Sequence, residues 1–450
     1  MLHRKGLVRA AAFAALACTG ICRADANGSP SDDGLSLRPA FLDAPATAPA
    51  PPPSTAPAPI PNPLMLLLEH TPIGKPLEDA GIKINGYVEG GYTHSSNTAP
   101  GNVLTGGVFD TKGKRVVLDQ LDLAIDRPVD YAGAATKHTF DIGGHFEAVY
   151  GWDTGIVHSL GLYDNPATLG AVPGHTYYSS RTQPENQFDI EQAYLDFALP
   201  VGSGLRIRAG KFVTLLGQEV INPTQDALYS HSYLFGYAIP FTQTGIMGEY
   251  VLSPDLMLDA GVTRGWNQSV RDSNGDPDFL GALTFTPQES DALKKWKIVG
   301  NLSMGPQAAH DNHDWWTVID LIAAYTASDK LTLTLNADYG DAPHAIGGVT
   351  SAQWFGAALY ASYVVNQFAT FNARGEWYDD NNGFTFGVPG NLSVYEATFG
   401  MAIKVFPDDP VMQNLVIRPE IRFDYASKDF FDSGHNHFQA EFGVDAYFAF

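Results

Sequence analysis

Between residues 82 and 450 the chain repeatedly alternates apolar and polar side chains with a period of two, over stretches of about ten residues. Successive side chains of an extended strand point to opposite faces, so this period gives each stretch one apolar and one polar face. Leu331, Leu333, Leu335, Ala337 and Tyr339 share one face of such a stretch, and Thr332, Thr334, Asn336 and Asp338 share the other. Phe140 to Tyr150, Leu415 to Tyr425 and Phe438 to Phe450 alternate in the same way. A soluble sandwich could bury the apolar face in a core, but its strands usually run to about five or six residues. Ten residues rising ~3.3 Å each and tilted about 45° cover roughly the 25 Å apolar band of an outer membrane. The length points to strands that cross a bilayer.

Sixteen such segments can be marked: 82–94, 116–127, 137–150, 188–199, 205–213, 244–252, 256–265, 278–286, 296–304, 315–326, 331–340, 352–364, 368–378, 393–405, 415–425 and 438–450. Long connections fall at 95–115, 151–187, 214–243, 266–277, 305–314, 341–351, 379–392 and 426–437, with shorter ones between them. Bacterial barrels have even strand numbers, short periplasmic turns and long outer loops. The expected fold is therefore all-β, a transmembrane antiparallel up-and-down β-barrel of about 16 strands. A charge on the lipid face at mid-bilayer costs about 2–4 kcal/mol. In segments 137–150, 331–340, 368–378, 393–405, 415–425 and 438–450 the apolar phase carries none; elsewhere Asp119, Arg127, Asp189 and Arg264 interrupt it and are expected near strand ends. Trp266, Trp315, Trp316 and Trp377 are expected in an aromatic girdle at one rim, and Trp296, Tyr447, Phe448 and Phe450 at the other.

Residues 1–24 have the form of a secretory signal peptide: basic Arg4, Lys5 and Arg9, then apolar Ala10 to Ile21, then a small-residue cleavage site around Ala24. A lipoprotein reading through Cys18 would need Leu16 one position away from where it stands. Both cysteines, Cys18 and Cys22, fall inside the signal, so disulfides, Cys-zinc sites and Cys nucleophiles are excluded from the mature chain. Losing Arg4, Lys5, Arg9 and Arg23 takes the net charge from −22 to −26, which argues against nucleic acid as a partner. Residues 25–81 are expected to be a mostly disordered Pro/Ala-rich periplasmic segment, with Leu64 to Leu68 forming one helical turn or a docking patch. Beyond the signal, no uninterrupted apolar run reaches the ~18 residues that would suggest a spanning helix.

Two stretches carry a family resemblance. Phe188 to Phe197 with Arg206 to Phe212, and Gly217 to Pro223 with Tyr229 to Gly245, resemble the OmpL-like β-barrel porins, a likeness covering about residues 80–450. Phe450, preceded by alternating aromatics, looks like the signal that barrel-assembly machinery reads in outer-membrane proteins. The resemblance implies a porin in the outer membrane of a Gram-negative-type bacterium; lipid and lipopolysaccharide are its expected surroundings and a homotrimer its expected assembly. It implies no catalytic residues and no cofactor.

The connection 214–243 is the strongest functional candidate, because a freely solvated loop has no need for Leu215, Leu216, Val220, Ile221, Tyr233, Leu234, Phe235, Tyr237, Ile239 and Phe241. Folded inward, it would narrow the lumen, with Gln218, Glu219 and Asp226 on one side of the pore and Arg206, Arg208, Arg374, Arg418 and Arg422 facing them from the strands. Opposed acidic and basic walls create a transverse field that passes small polar solutes and disfavours apolar ones. The bland alternative pairs those arginines with Glu376, Glu420 and Asp424 and only stiffens the wall. Asp272, Asn274, Asp276 and Asp278 space oxygens somewhat like a calcium loop, and equally make an ordinary acidic turn. His310, His313 and Asp314 could hold a transition metal or simply be solvated. His145 with Glu147, and His231 beside Ser232, lack a third orienting residue at recognisable spacing. The expected function is passive diffusion of small polar solutes or ions. A structural or adhesive barrel is the first alternative and a barrel hydrolase the second.

Overall fold

A computed structural model describes residues 62–162, 185–309 and 311–450. Before the first strand lie two short helices, α1 (Pro63–Glu69) and α2 (Gly74–Asp79). Asn62 caps α1 by accepting the Met65 N–H, and its amide donates to the Ile84 carbonyl at 2.8 Å, which ties the helix to the barrel. The run Leu64 to Leu68 is thus a helix; the expected signal peptide and the Pro/Ala-rich stretch up to residue 61 lie outside the described residues.

Sixteen strands form one closed antiparallel barrel in which sequence neighbours pair and the last closes on the first. They are β1 (Lys83–Ser95), β2 (Val116–Arg127), β3 (Asp141–Gly151), β4 (Gln187–Leu199), β5 (Leu205–Val213), β6 (Thr242–Ser253), β7 (Leu256–Thr263), β8 (Asp278–Phe285), β9 (Trp296–Pro306), β10 (Trp315–Thr326), β11 (Leu331–Ile346), β12 (Thr350–Asn366), β13 (Ala369–Asp380), β14 (Leu392–Lys404), β15 (Leu415–Ala426) and β16 (Phe438–Ala449). At the seam Tyr87 faces Ala449 and Ser95 faces Glu441, and Phe450 exchanges both backbone hydrogen bonds with Gly86. Closure removes the unpaired edges that an open sheet would expose to lipid.

The alternation read from the sequence becomes two faces of opposite chemistry. Leu335 of β11, Ile319 and Leu321 of β10, Leu359 of β12, Phe399 of β14 and Ile421 of β15 point outward and are exposed. Thr334, Asn336 and Asp338 of β11 point inward and are buried, as are Arg374, Glu376 and Asp380 of β13 and the charged residues of β15. Apolar side chains without protein neighbours around a polar interior are the arrangement a bilayer stabilises.

Four sequence expectations are corrected by the strands. Asp119 and Asp189 are not on the lipid face. The β1–β2 register skips Asp119, since Glu89 faces Gln120 and Gly90 faces Leu118; the β3–β4 register likewise skips Glu191. Each extra residue resets the period, and Asp119, Gln120, Asp189, Glu191 and Gln192 are all buried inward. Arg127 and Arg264 do lie at strand ends, Arg127 pairing with Asp141 at 3.0 Å. Second, Trp266 and Trp316 leave the girdle for the interior, packed edge-on at 6.1 Å, where Ser303 Oγ accepts the Trp266 indole N–H. Tyr447 also faces inward, beneath the Arg418 guanidinium at 4.9 Å. Third, residues 137–140 precede β3, and Tyr131–Lys137 form helix α3, whose Tyr131 buries against Val129 and Ala198. Fourth, the long connection expected at 341–351 shrinks to 347–349, because β11 and β12 extend past the apolar band into a hairpin turned at Gly347 and Gly348.

Candidate functional site in the barrel lumen

Between β5 and β6 the chain leaves the wall at Thr214 and returns at Phe241. Gly217 turns it inward with φ +90, a conformation L side chains rarely adopt, and a Cβ there would meet Ile239 Cδ1 at 2.5 Å. Tyr233 to Ala238 are buried, and the apolar side chains pack with others from the long-connection end. Tyr237 lies 4.4 Å from Phe386, Phe235 5.5 Å from Phe109, and Phe386 5.0 Å from Phe430. These contacts account for the excess of apolar residues that marks this segment in the sequence.

An irregular backbone buried in a barrel still needs partners for its N–H and C=O groups. The inward side chains supply them. Glu420 accepts the N–H groups of Tyr229 and Ser230 at 2.8 and 3.0 Å. Glu376 accepts those of Tyr233 and Leu234, both at 2.7 Å. Asp320 accepts Gly217 N–H and Asn336 accepts Gln218 N–H. Arginines take the carbonyls: Arg374 that of Ser230, Arg418 those of Pro223 and Asp226, and Arg422 that of His231, all within 2.8 Å. Trp354 and Tyr378 donate to Ala238 and Tyr237. The loop is therefore held across the lumen by β10, β11, β12, β13 and β15.

The expected facing of loop acids against wall arginines is corrected in its geometry. Glu219 does not face Arg374 across a gap; it touches it at 2.6 Å, and Glu396 holds the same guanidinium at 2.7 Å. Asp226 turns to His231 at 3.0 Å, while Arg418 binds Asp445 at 2.7 Å and Glu89 at 3.0 Å. Arg422 binds Asp424 at 2.8 Å. Arg206 and Arg208 stand on β5, by Asp196 at 3.9 and 2.8 Å, with Arg208 over the Tyr194 ring. A buried guanidinium without a carboxylate is costly, so contact pairing wins over an open field. Glu219 meets Arg374 on β13 and Gln218 meets Asn336 on β11; Arg206 and Arg208 belong to another part of the wall.

What remains is an excess of acid. On β2 to β11, Asp122, Glu147, Glu191, Glu249, Asp259 and Asp338 are buried inward, among others, against Arg206, Arg208 and Lys211 as the buried cations of those strands. In the loop, burial opposes ionisation of Glu219, but the Arg374 guanidinium beside it holds its carboxyl below the ordinary value. Burial likewise disfavours a charged His231, yet the hydrogen bond and charge of Asp226 raise the imidazole above its ordinary value. Sequence reasoning missed Glu376 and Glu420 as backbone clamps. Their inward phase was visible, but not their partners more than 140 residues away.

The weaker candidates find ordinary roles. Asp272 accepts the N–H groups of Asn274 and Gly275, and Asn274 that of Asp276, so these oxygens close a turn; Asp278 bonds Gln307. Asp314 pairs with His344 at 2.8 Å and His313 with Asp311, while His310 lies outside the described residues. No group of three or more His, Asp or Glu among the described residues is placed to hold a metal. His145 sits between Asp126 and Glu147, and Ser232 Oγ accepts the Phe235 N–H.

A closed sixteen-stranded barrel with a polar interior and an inward-held loop defines the class, an outer-membrane porin. Its fold is similar to that of the outer-membrane channel DcaP of Acinetobacter baumannii, with TM-score 0.51 at 14% identity over 82% of this chain and 97% of that one. It is also similar to the anion-selective porin of Comamonas acidovorans, with TM-score 0.52 at 10% identity over 82% and 99%, and to OprB of Pseudomonas putida, with TM-score 0.52 at 12% identity over 85% and 97%. No curated protein matches the chain. The family described as "Putative beta-barrel porin-2, OmpL-like" matches residues 81–450, and the chain belongs to that family. It is a porin of the Gram-negative outer membrane that lets small solutes diffuse passively.

Proposed function

We propose that this porin is constricted by residues 214–241 and favours cations and neutral polar solutes over anions. The observation that carries the reading is the division of the lumen charges. The arginines of β13 and β15 are bound to carboxylates and to loop carbonyls, while acidic side chains predominate on the facing strands. A wall with excess negative charge in a low-dielectric setting concentrates cations and repels anions. Gln218, Glu219 and Asp226 line the loop side of the path, and Arg206 and Arg208 moderate the acidity of the β5 wall. The protein has no catalytic role in this reading. The exposed apolar belt supports contact with lipid and lipopolysaccharide, the zipped aromatic Phe450 supports recognition by barrel-assembly machinery, and a homotrimer would cover part of that belt.

Swelling of liposomes carrying the purified protein tests the reading. Swelling in small neutral and cationic solutes, faster than in anionic ones of equal size, is expected. No swelling from a folded barrel would leave the adhesive reading in its place.

A further inference from the structure

At the end of the short connections, the barrel seam is completed by a helix and not by a strand. Phe450 exchanges both backbone bonds with Gly86, and Ile84, two residues further along β1, has no ladder partner in β16. Helix α1 takes up both of its groups: Met65 Sδ accepts the Ile84 N–H at 3.3 Å, and the Asn62 amide donates to the carbonyl. Just after α2, the Ala80 carbonyl accepts from Arg127 at 3.2 Å, and Arg127 continues the outward phase of Leu121, Leu123 and Ile125. Ile84 lies directly opposite Ile125, an exposed residue of the lipid-facing belt, so the two helices border that belt.

Five apolar residues in a row, Leu64 to Leu68, exceed one helical turn and cover the whole circumference of α1. Only part of that circumference rests on protein. Leu64, Met65, Leu66 and Leu68 are half-buried, whereas Leu67 is 68% exposed and Ile73, just before α2, is 55% exposed. A helix apolar on all sides belongs in apolar surroundings. Charge does not explain the placement, because Lys75 and Lys83 are outnumbered by Glu69, Glu78 and Asp79.

We propose that α1 and α2 form an interfacial anchor, with Leu67 and Ile73 seated among the phospholipid acyl chains of the periplasmic leaflet. Short connections mark the periplasmic end of a bacterial barrel. Apolar side chains at such a boundary enter the bilayer by about 5–10 Å. The anchor extends the belt of the barrel wall, and the inference rests on the contact of that belt with lipid. Because apolar burial and not charge holds it, seating is independent of anionic lipid and of salt.

The test uses the full chain, folded into phosphatidylcholine vesicles, with Cys18 and Cys22 replaced and one fluorescent label at a time. Labels enter through Leu67→Cys, Ile73→Cys, Glu78→Cys and, on the lipid face of β11, Leu335→Cys. Folding of each is read from the heat-dependent gel mobility of the barrel. Lipid carrying a doxyl group near the headgroup should quench labels 67 and 73 severalfold more strongly than label 78, and iodide in the water should show the reverse order. Added phosphatidylglycerol or salt should leave both orders unchanged. Iodide quenching at 67 and 73 equal to that at 78 overturns the anchor. Protection of 67 and 73 from both quenchers places protein, such as a second copy of the chain, on this face and overturns the lipid assignment. Loss of lipid quenching in high salt overturns the apolar basis. A label at 335 that lipid fails to quench defeats the barrel's own contact with lipid, whereas quenching at 335 without quenching at 67 and 73 defeats the anchor alone.

Discussion

Glu376 holds the loop by two bonds from one side chain, so its replacement measures how firmly the constriction is fixed. Its oxygens accept the N–H groups of Tyr233 and Leu234 at 2.7 Å each. Hydrogen bonds to a charged group contribute about 1.5–3 kcal/mol each. Glu376→Ala therefore weakens loop docking by about 3–6 kcal/mol, an upper bound because water can enter and satisfy the freed donors. The barrel ladder uses backbone groups and is untouched, so the loss falls on the loop and not on the fold. At about 1.4 kcal/mol per factor of ten, even the lower figure raises the undocked population about a hundredfold. Glu376→Gln keeps one acceptor and should show about half the effect. Single-channel recordings should give a larger, noisier conductance for the alanine variant and an intermediate trace for glutamine. Wild-type conductance and noise in Glu376→Ala, with the barrel folded, would refute the idea that wall carboxylates hold the loop.

Other outcomes follow from the same geometry. Arg374→Met leaves Glu219 buried without its cation and Glu396 with only the more distant Arg422, and should lower stability by about 3–5 kcal/mol, seen as a lower melting temperature in detergent. Arg206→Gln removes a cation from an acid-rich wall and should move the reversal potential further toward cations. Because His231 has a raised pKa in the folded loop, its pairing with Asp226 is complete below about pH 6.5 and is lost as pH rises through the raised value. Current noise should accordingly increase on alkalinisation, and His231→Gln should abolish that dependence. Leu335→Arg, on the lipid face, should cost about 2–4 kcal/mol near mid-bilayer, measured by denaturant unfolding in lipid vesicles.

The barrel was legible because its determinant is local. A period of two needs only ten residues to show itself, and β2, β5 and β10 fall where the alternation places them. What local periodicity cannot show is a change of phase. Nothing near Asp119 marks the bulge that turns it inward; the register with β1 does. Trp266 and Trp316 carry the composition of a girdle, and only the partner at Ser303 and the ring contacts inside explain their burial. The segment 214–241 stood out by its apolar content, which is what a loop buried under other loops requires. The clamps Glu376 and Glu420 were visible as inward acids, but their use depends on a backbone far away in sequence. Likewise the arginines could be placed on the polar face, yet their carboxylate partners on adjacent strands decide whether they act as open charges or as closed pairs.

The central claim concerns which face of each strand meets lipid, and β11 allows a direct test. Cys18 and Cys22 are the chain's two cysteines, and replacing both provides a background for single cysteines at positions 332 to 339. Spin labels at these positions, in vesicles, would be probed with oxygen from the bilayer and a charged nickel chelate from water. Residues 333, 335, 337 and 339 should collide preferentially with oxygen, while 332, 334, 336 and 338 should be shielded from it. Uniform accessibility along the strand, or the opposite alternation, would contradict a barrel whose greasy side meets acyl chains around a polar lumen.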